Sequence, residues 1–297
     1  MPRRPLRLEH RAPDPRRTIL RPPLKWAGGK RWQVPRLECL WAPHRHRRLV
    51  EPFCGGLSVT LGLAPERALL NDVNPHVINF YRWLRRGLTV DARFENDERA
   101  FYAIRARFNQ LLREGHQRTR EAAVLFYYLN RTGYNGLCRF NRSGEFNVPF
   151  GRYARIDYAR DFTPYRAALA GWTFVACDFE RLPLRRDDFV YADPPYDVEF
   201  TNYAGRGFSW SDQVRTATWL SRHPGPVILV NQATERICRL YRECGFELVF
   251  LEAPRRISCT GDRTPVREVL AHRGLHGVGS GDSRLATAAG RQPAPGR

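Results

Sequence analysis

Phe189-Val190-Tyr191-Ala192-Asp193-Pro194-Pro195-Tyr196 decides how this 297-residue chain is read. Four apolar residues in a row, with no polar alternation, read as a strand buried on both faces. The residues after Ala192 cannot extend a sheet. Two consecutive prolines carry no N–H and fix φ, so the chain turns away beyond Asp193. Four other short runs end the same way on polar residues. Arg48–Val50 leads into Glu51-Pro52-Phe53-Cys54-Gly55-Gly56, Ala68–Leu70 into Asn71-Asp72, Phe174–Ala176 into Cys177-Asp178, and Val227–Val230 into Asn231-Gln232. Helical patterns lie between them at Leu57–Leu63, Pro75–Arg85, Gln213–Arg222 and Thr234–Cys244. Strands alternating with helices predict an α/β, doubly wound parallel sheet. Ligands of such sheets bind at the carboxyl ends of the strands, where all five polar clusters would fall.

Residues 85–165 break this rhythm. A long helical pattern, Asp97–Arg113, is followed by Glu121–Asn130 and then by a Gly/Asn/Arg-rich stretch reaching Arg160. A helical insertion carrying a substrate-reading loop fits better than another strand–helix unit. The expected organisation is a basic tail (1–21), a first catalytic part (22–80), the insertion (81–162), a second catalytic part (163–273) and a Gly/Ala/Ser-rich tail (274–297). Both tails read as mobile.

The net charge is +19, from 49 basic and 30 acidic residues, which points to a polyanionic partner, nucleic acid first. The tails explain only part of it. Met1–Pro22 contributes +5 and His272–Arg297 contributes +3, so +11 remains on the residues between. Only two of the 49 basic residues are lysines, Lys25 and Lys30, five apart in PLKWAGGKRW. A compact ammonium at both places suggests a site where guanidinium will not fit. Chance clustering is the plain alternative. No apolar run approaches the roughly 18 residues needed to span a bilayer, and Met1–Arg21 has no apolar core of a secretory signal. Seven cysteines without CxxC spacing, and eight histidines without HExxH spacing, disfavour disulfides and metal. The expected setting is a reducing cytoplasm. Cys54 lacks the partnered His pattern of a nucleophile.

The chemistry starts at Asp193. A carboxylate and a rigid Pro194 carbonyl can together accept both hydrogens of an exocyclic NH₂, and Tyr196 offers a face for base stacking. The competing reading is a proline turn with Asp193 as its polar cap. In the Gly/Asn/Arg-rich stretch, Arg139, Arg142 and Arg152 with Asn135 suit a major groove, where Arg pairs with guanine and Asn with adenine. The same arginines could instead touch only phosphate.

Together these motifs give a family likeness. LKWAGGK (Leu24–Lys30), LVEPFCGG (Leu49–Gly56), NDVN (Asn71–Asn74), LNRTGYNGLCRFNRSGEFNVPFGRY (Leu129–Tyr153) and DPPY (Asp193–Tyr196) occur in order. Over about residues 22–272 the chain resembles the DNA adenine N6-methyltransferases of the Dam type, the α-group of the D12 class. The resemblance implies a Rossmann-like S-adenosylmethionine-dependent catalytic sheet with an inserted helical target-recognition domain, acting on double-stranded DNA without a metal. It implies cofactor contacts from Trp26, Lys30, Phe53, Gly55, Asp72 and Asp193, with Asp178 at the adenine end. The Gly55-Gly56 turn would admit the methionine part, and Asp72 would take the ribose hydroxyls. Asp193, Pro194 and Tyr196 would be catalytic. Leu137, Arg139, Pro149 and Tyr153 match sequence-reading positions, Tyr134 an aromatic that props the duplex, and Lys25 a DNA or cofactor contact. The family's typical target is GATC.

The substrate dictates the expected mechanism. Adenine N6 is a poor nucleophile, and hydrogen bonds to Asp193 and the Pro194 carbonyl would pull it towards sp³ geometry before in-line attack on the sulfonium methyl. The target is inaccessible inside a duplex, so the base would be flipped out onto Tyr196. Leu57 stands where many relatives have glycine, and Asp197–Trp210, with its FTxY-like core Phe200–Tyr203, is shorter than in the enterobacterial type. Two other readings compete: an RNA or protein N-methyltransferase, and an inactive DNA-binding scaffold. No nuclease domain is read here, so methyl transfer alone is expected. Oligomeric state, processivity and biological context are left open.

Overall fold

The structure is a computed structural model that describes residues 20–197, 207–253 and 266–275. Seven strands form one sheet in the order β3-β2-β1-β4-β5-β7-β6. They are β1 (Leu49–Glu51), β2 (Ala68–Asn71), β3 (Trp172–Val175), β4 (Phe189–Ala192), β5 (Val227–Gln232), β6 (Glu247–Ala253) and β7 (Val266–Arg273). The first five are parallel, and β7 runs antiparallel to both β5 and β6. All five sequence-read strands are present, and the architecture is the expected Rossmann-like one. The antiparallel pair at the far edge is additional.

Period-two alternation divides the strand residues between two cores. Leu49, Leu70, Phe189, Tyr191, Ile228 and Val230 face one layer. Val50, Leu69, Val190, Ala192, Val227 and Leu229 face the other. The first layer holds α1 (Val34–Trp41), α2 (Ser58–Leu63) and α3 (Pro75–Arg85); the second holds α7 (Trp210–Ser221) and α8 (Glu235–Glu243). Burial on both faces is why these strands read as unbroken apolar runs.

Residues 86–162 carry α4 (Glu98–Arg113) and α5 (Arg120–Thr132); the short α6 (Thr163–Ala168) then leads back to β3. α3 itself crosses the expected 80/81 boundary without a break. The entry and exit of the insertion are tied by Val90 N–H to Arg160 O (2.8 Å) and Phe162 N–H to Leu88 O (3.2 Å). Its aromatics pack onto α3, Phe80 stacking on Tyr127 at 5.2 Å, so insertion and sheet share a single core. Asp97, Thr119 and Asn74 cap their helices through side-chain acceptors, and Asn74 is followed by Pro75 in the first turn.

Leu57 occupies the left-handed region (φ 60°, ψ 23°) that favours glycine. A non-glycine residue there costs about 1–2 kcal/mol. Complete burial of the leucine side chain offsets that cost.

Candidate active site

The carboxyl ends of β1, β2 and β4 flank the point where strand order reverses, and a cavity of about 500 Å³ opens there. Its wall includes Trp26, Lys30, Phe53, Gly55, Asp72, Asp193, Pro194 and Tyr196. These are all the expected catalytic and cofactor residues except Asp178. Sequence separations of up to 170 residues collapse into one site.

Side chains from the strand ends staple the loops. Asn71 donates to Pro52 O (2.9 Å) and Cys177 O (3.1 Å), and its carbonyl accepts from Cys177 N–H (3.0 Å), joining the loops after β1 and β3. Gly55 is fixed from three sides. Its N–H donates to Asp72 Oδ2 (3.1 Å), its carbonyl accepts from the Tyr81 hydroxyl (2.6 Å), and Trp26 lies against it. A Cβ at Gly55 would lie 2.5 Å from the Trp26 ring nitrogen, and one at Gly56 would lie 2.7 Å from Trp26 Cβ. The glycine pair is therefore required first for close packing of Trp26, a reason not visible in the sequence. Asp72 also accepts from Asn74 N–H (2.9 Å), and burial pushes its carboxyl up to about 6. Beside it Val73 presents an apolar side chain that is 78% exposed.

The Asp193 loop is held from below. Gln213 donates to Pro195 O (2.8 Å), while Asn231 donates to Gln213 (3.0 Å) and accepts from Asp197 N–H (3.4 Å). The Pro194 carbonyl accepts no hydrogen bond among the described residues. Lys30, only 5% exposed, places Nζ 3.5 Å from Asp193 Oδ2 and 4.5 Å from the Tyr196 ring centre. Burial raises Asp193 to about 6, with Lys30 opposing that shift and Glu268 adding to it. Burial and the carboxylates of Asp193 and Glu268 keep the Tyr196 phenol neutral, well above its ordinary range. Its hydroxyl is buried beside the Asp193 and Glu268 carboxylates.

Asp178 lies at the β3 edge, outside the cavity wall. Its carboxylate accepts from Arg215 (3.0 Å) and from Glu180 N–H (3.1 Å), where it caps a 3₁₀ turn. Two acids that line or border the site were not singled out from the sequence. Glu51, ending β1, takes a hydrogen bond from the Thr60 hydroxyl, and burial pushes it up to about 8. Glu268 comes from β7. The available signal was an acid directly before the apolar run Val269–Ala271.

The expected DNA-reading residues gather at the end of α5. Tyr134 N–H donates to Pro149 O (2.9 Å) and the Tyr153 hydroxyl to Gly133 O (3.0 Å). Tyr134 is 49% exposed. Asn135, at φ 50°, sits in a 3₁₀ turn before the half-buried Leu137. Arg139 donates through Nε and Nη2 to Asn147 Oδ1 (2.9 Å) and O (3.1 Å) of its own hairpin. Arg152 is exposed and pairs with Glu98 (3.1 Å), and Arg142 is exposed. Lys25 is drawn inward, with Nζ bonded to Arg131 O (2.9 Å) and 3.4 Å from the Tyr153 ring centre. Burial and Arg131 lower its ammonium to about 8.

Six free cysteines and no cluster of metal-ligating side chains occur among the described residues, and none of their helices is long and apolar enough to cross a membrane. The Phe200–Tyr203 segment and nearly all of both tails lie outside the described residues.

The switch-point cavity is thus lined by a Gly-Gly loop, an acid just after the second strand and an Asp-Pro-Pro-Tyr edge. Residues 26–257 match the D12 class N6 adenine-specific DNA methyltransferase family. The chain is 37% identical over 275 residues to the DNA adenine methylase of Vibrio cholerae serotype O1, covering 84% of this chain and 94% of that one. It is 35% identical to the retron Ec67 DNA adenine methylase of Escherichia coli, covering 84% and 90%. It is 34% identical to the DNA N-6-adenine-methyltransferase of Escherichia phage P1 over 80% of this chain, which spans about a third (33%) of that longer protein. A putative RNA methyltransferase of Pyrococcus horikoshii is similar only at a TM-score of 0.37 and 9% identity, and adds nothing to these matches. The chain belongs to the D12 class of N6 adenine-specific DNA methyltransferases.

Proposed function

We propose that the chain transfers a methyl group from S-adenosylmethionine to N6 of an adenine flipped out of duplex DNA, within GATC, in the cytoplasm. The observation that carries this reading is the presence on one cavity wall of Asp193 and Pro194, whose carbonyl accepts no hydrogen bond among the described residues. They supply two acceptors for the two hydrogens of an amino group.

The lining fits the cofactor. Asp72 offers two carboxylate oxygens to a ribose diol, and Phe53 and Val73 offer apolar surface to a purine. Asp178 would reach the adenine end only by exchanging Arg215. When bound, S-adenosylmethionine supplies the electrophilic methyl group; the protein supplies position and charge. Tyr196 stacks the extruded adenine. Asp193 and the Pro194 carbonyl hold N6, drawing it out of conjugation with the ring and fixing its lone pair. With a carboxyl at about 6, Asp193 is an anion at neutral pH and can take the proton that N6 releases after transfer.

On the DNA side, Arg139 is clamped by Asn147 along one edge, which orients the guanidinium for a guanine in the major groove. Tyr134 fills the duplex beside the flipped base. Lys25 acts as a brace beneath Tyr153 rather than as a phosphate contact. Leu137, Pro149 and Asn135 shape the reading surface, and Arg152 reaches the backbone by leaving Glu98.

Duplexes with 2-aminopurine in place of the target adenine test the reading. Fluorescence should rise on binding to GATC and stay low when either flanking G·C pair is changed. A rise independent of sequence would refute the GATC assignment, and no rise with tight binding would refute flipping.

A further inference from the structure

Lys30 does not belong to Asp193 alone. Its ammonium lies 3.5 Å from Asp193 Oδ2 and equally 3.5 Å from Glu268 Oε1. Glu268 is 5% exposed and sits on β7 opposite Gln232 of β5 and Leu251 of β6, so its backbone is fixed from both sides. Its second oxygen accepts from Gln33 Nε2 (2.8 Å), and Gln33 Oε1 accepts from the Tyr191 hydroxyl (3.1 Å). Tyr191 lies on β4, two residues before Asp193. The contacts therefore close a ring from β4 through Gln33, Glu268 and Lys30 back to the end of β4. A buried acid is costly unless it is paired, and here one oxygen of Glu268 faces Lys30 and the other accepts from Gln33.

We propose that Glu268 is a positioning residue for methyl transfer: by sharing the Lys30 ammonium it limits how far that charge is spent on Asp193. The proposal rests on Asp193 being the acceptor of the adenine N6 hydrogen. A carboxylate held tightly by one ammonium is a weak base and a weak hydrogen-bond acceptor; one that shares the ammonium with a second carboxylate is more basic. The other groups facing Asp193 are Tyr196 in its own loop, Tyr191 on β4, Tyr241 on α8 and Glu51 on β1. Burial keeps the three tyrosines neutral, and it keeps Glu51 protonated up to about pH 8. The pair that tunes Asp193 is therefore Lys30 and Glu268.

The test is Glu268→Gln, whose amide keeps an acceptor for Gln33 while losing the charge. The pH dependence of kcat/KM for duplex DNA is measured between pH 5 and 9 with cofactor saturating. Removing the negative charge and releasing Lys30 towards Asp193 both lower the Asp193 carboxyl, so the acid limb should move down by about one pH unit. An acid limb that stays in place or moves up overturns the proposal, as does a loss equal at every pH. If Glu268→Gln does not fold, Glu268→Asp keeps the buried charge but withdraws it by one methylene. Its limb should move the same way by less, and an unmoved limb is again a refutation. Asp193→Asn run in parallel separates the two ideas. Activity in that variant refutes the reading of Asp193 itself, whereas its inactivity beside an unshifted Glu268→Gln limb refutes only the role of Glu268.

Discussion

Replacing Lys30 with glutamine should shift the pH range in which this enzyme works towards alkali. The ammonium sits 3.5 Å from Asp193 Oδ2, with Lys30 5% exposed and the Asp193 side chain 22% exposed. At that distance, and at an effective dielectric of about 20, the pair interaction is about 4–5 kcal/mol. Water entering the space left by the ammonium, together with the amide dipole, should screen roughly half of it. The remaining ~2–3 kcal/mol corresponds to nearly two pH units. Asp193, now at about 6, would move close to 8. Only the anion accepts the amino hydrogen, so the competent fraction at pH 7 falls from about nine-tenths to about one-tenth. The assay is initial-rate methyl transfer from pH 6 to 9.5, cofactor saturating, with folding checked by circular dichroism. The variant should be about tenfold slower at pH 7 and regain most of its rate at pH 9. A loss of the same factor at every pH would refute the electrostatic role and leave Lys30 as a cofactor contact alone.

Three further perturbations probe other parts of the site. Glu51 has an ordinary value of 4.5 and a folded value of about 8, so the folded state holds its proton across that window while the unfolded chain releases it. Stability from this group is therefore fully present below about pH 4.5 and declines as pH rises towards 8. Glu51→Gln should remove roughly 3–5 kcal/mol of that decline, read from denaturation midpoints at pH 5 and pH 8, and identical slopes in the two proteins would contradict it. Gly56→Ala places a methyl 2.7 Å from Trp26 Cβ and should push Trp26 into the cavity. Titration calorimetry should show cofactor affinity reduced at least about tenfold, roughly 1.4 kcal/mol, and unchanged affinity would mean that Trp26 moves away freely. Arg139→Ala should cost about 1–3 kcal/mol against one guanine of the target, whereas an equal loss on every sequence would make Arg139 a phosphate contact.

What the sequence made legible depended on where each residue's partner lies. Four of the five parallel strands were readable because burial on both faces leaves unbroken apolar runs such as Phe189–Ala192; β3, at the sheet edge, exposes Thr173 and was read only from Phe174–Ala176. β6 and β7 were not, because β6 alternates exposure at the sheet edge and β7 turns Glu268 and His272 inward. β6 does carry an apolar run, Leu248–Leu251, yet no Asp, Asn or Gly-Gly cluster follows it to mark a strand end. The cavity lining from Trp26 to Tyr196 was legible because Gly-Gly, Asp and Asp-Pro-Pro-Tyr each end a strand with chemistry of their own. Asp178 obeys the same local pattern yet faces Arg215, 37 residues away on α7, and no local pattern reveals that pairing. Lys25 is similar: its role beneath Tyr153 depends on Asn130 and Gly136, which hold its backbone against the end of α5. Glu268 needed a partner 238 residues earlier in the chain, Lys30, to acquire a meaning.

The most direct test of the central claim is methyl transfer from isotopically labelled S-adenosylmethionine to unmethylated genomic DNA, with modified positions mapped by sequencing. Label is expected on adenine N6, confined to GATC, and lost in Asp193→Asn. N6-methyladenine in another motif would discard the reading of Leu137–Tyr153 and keep the chemistry of Asp193–Tyr196. Label on cytosine, on RNA alone or on no nucleic acid, despite bound cofactor, would contradict the account at its centre.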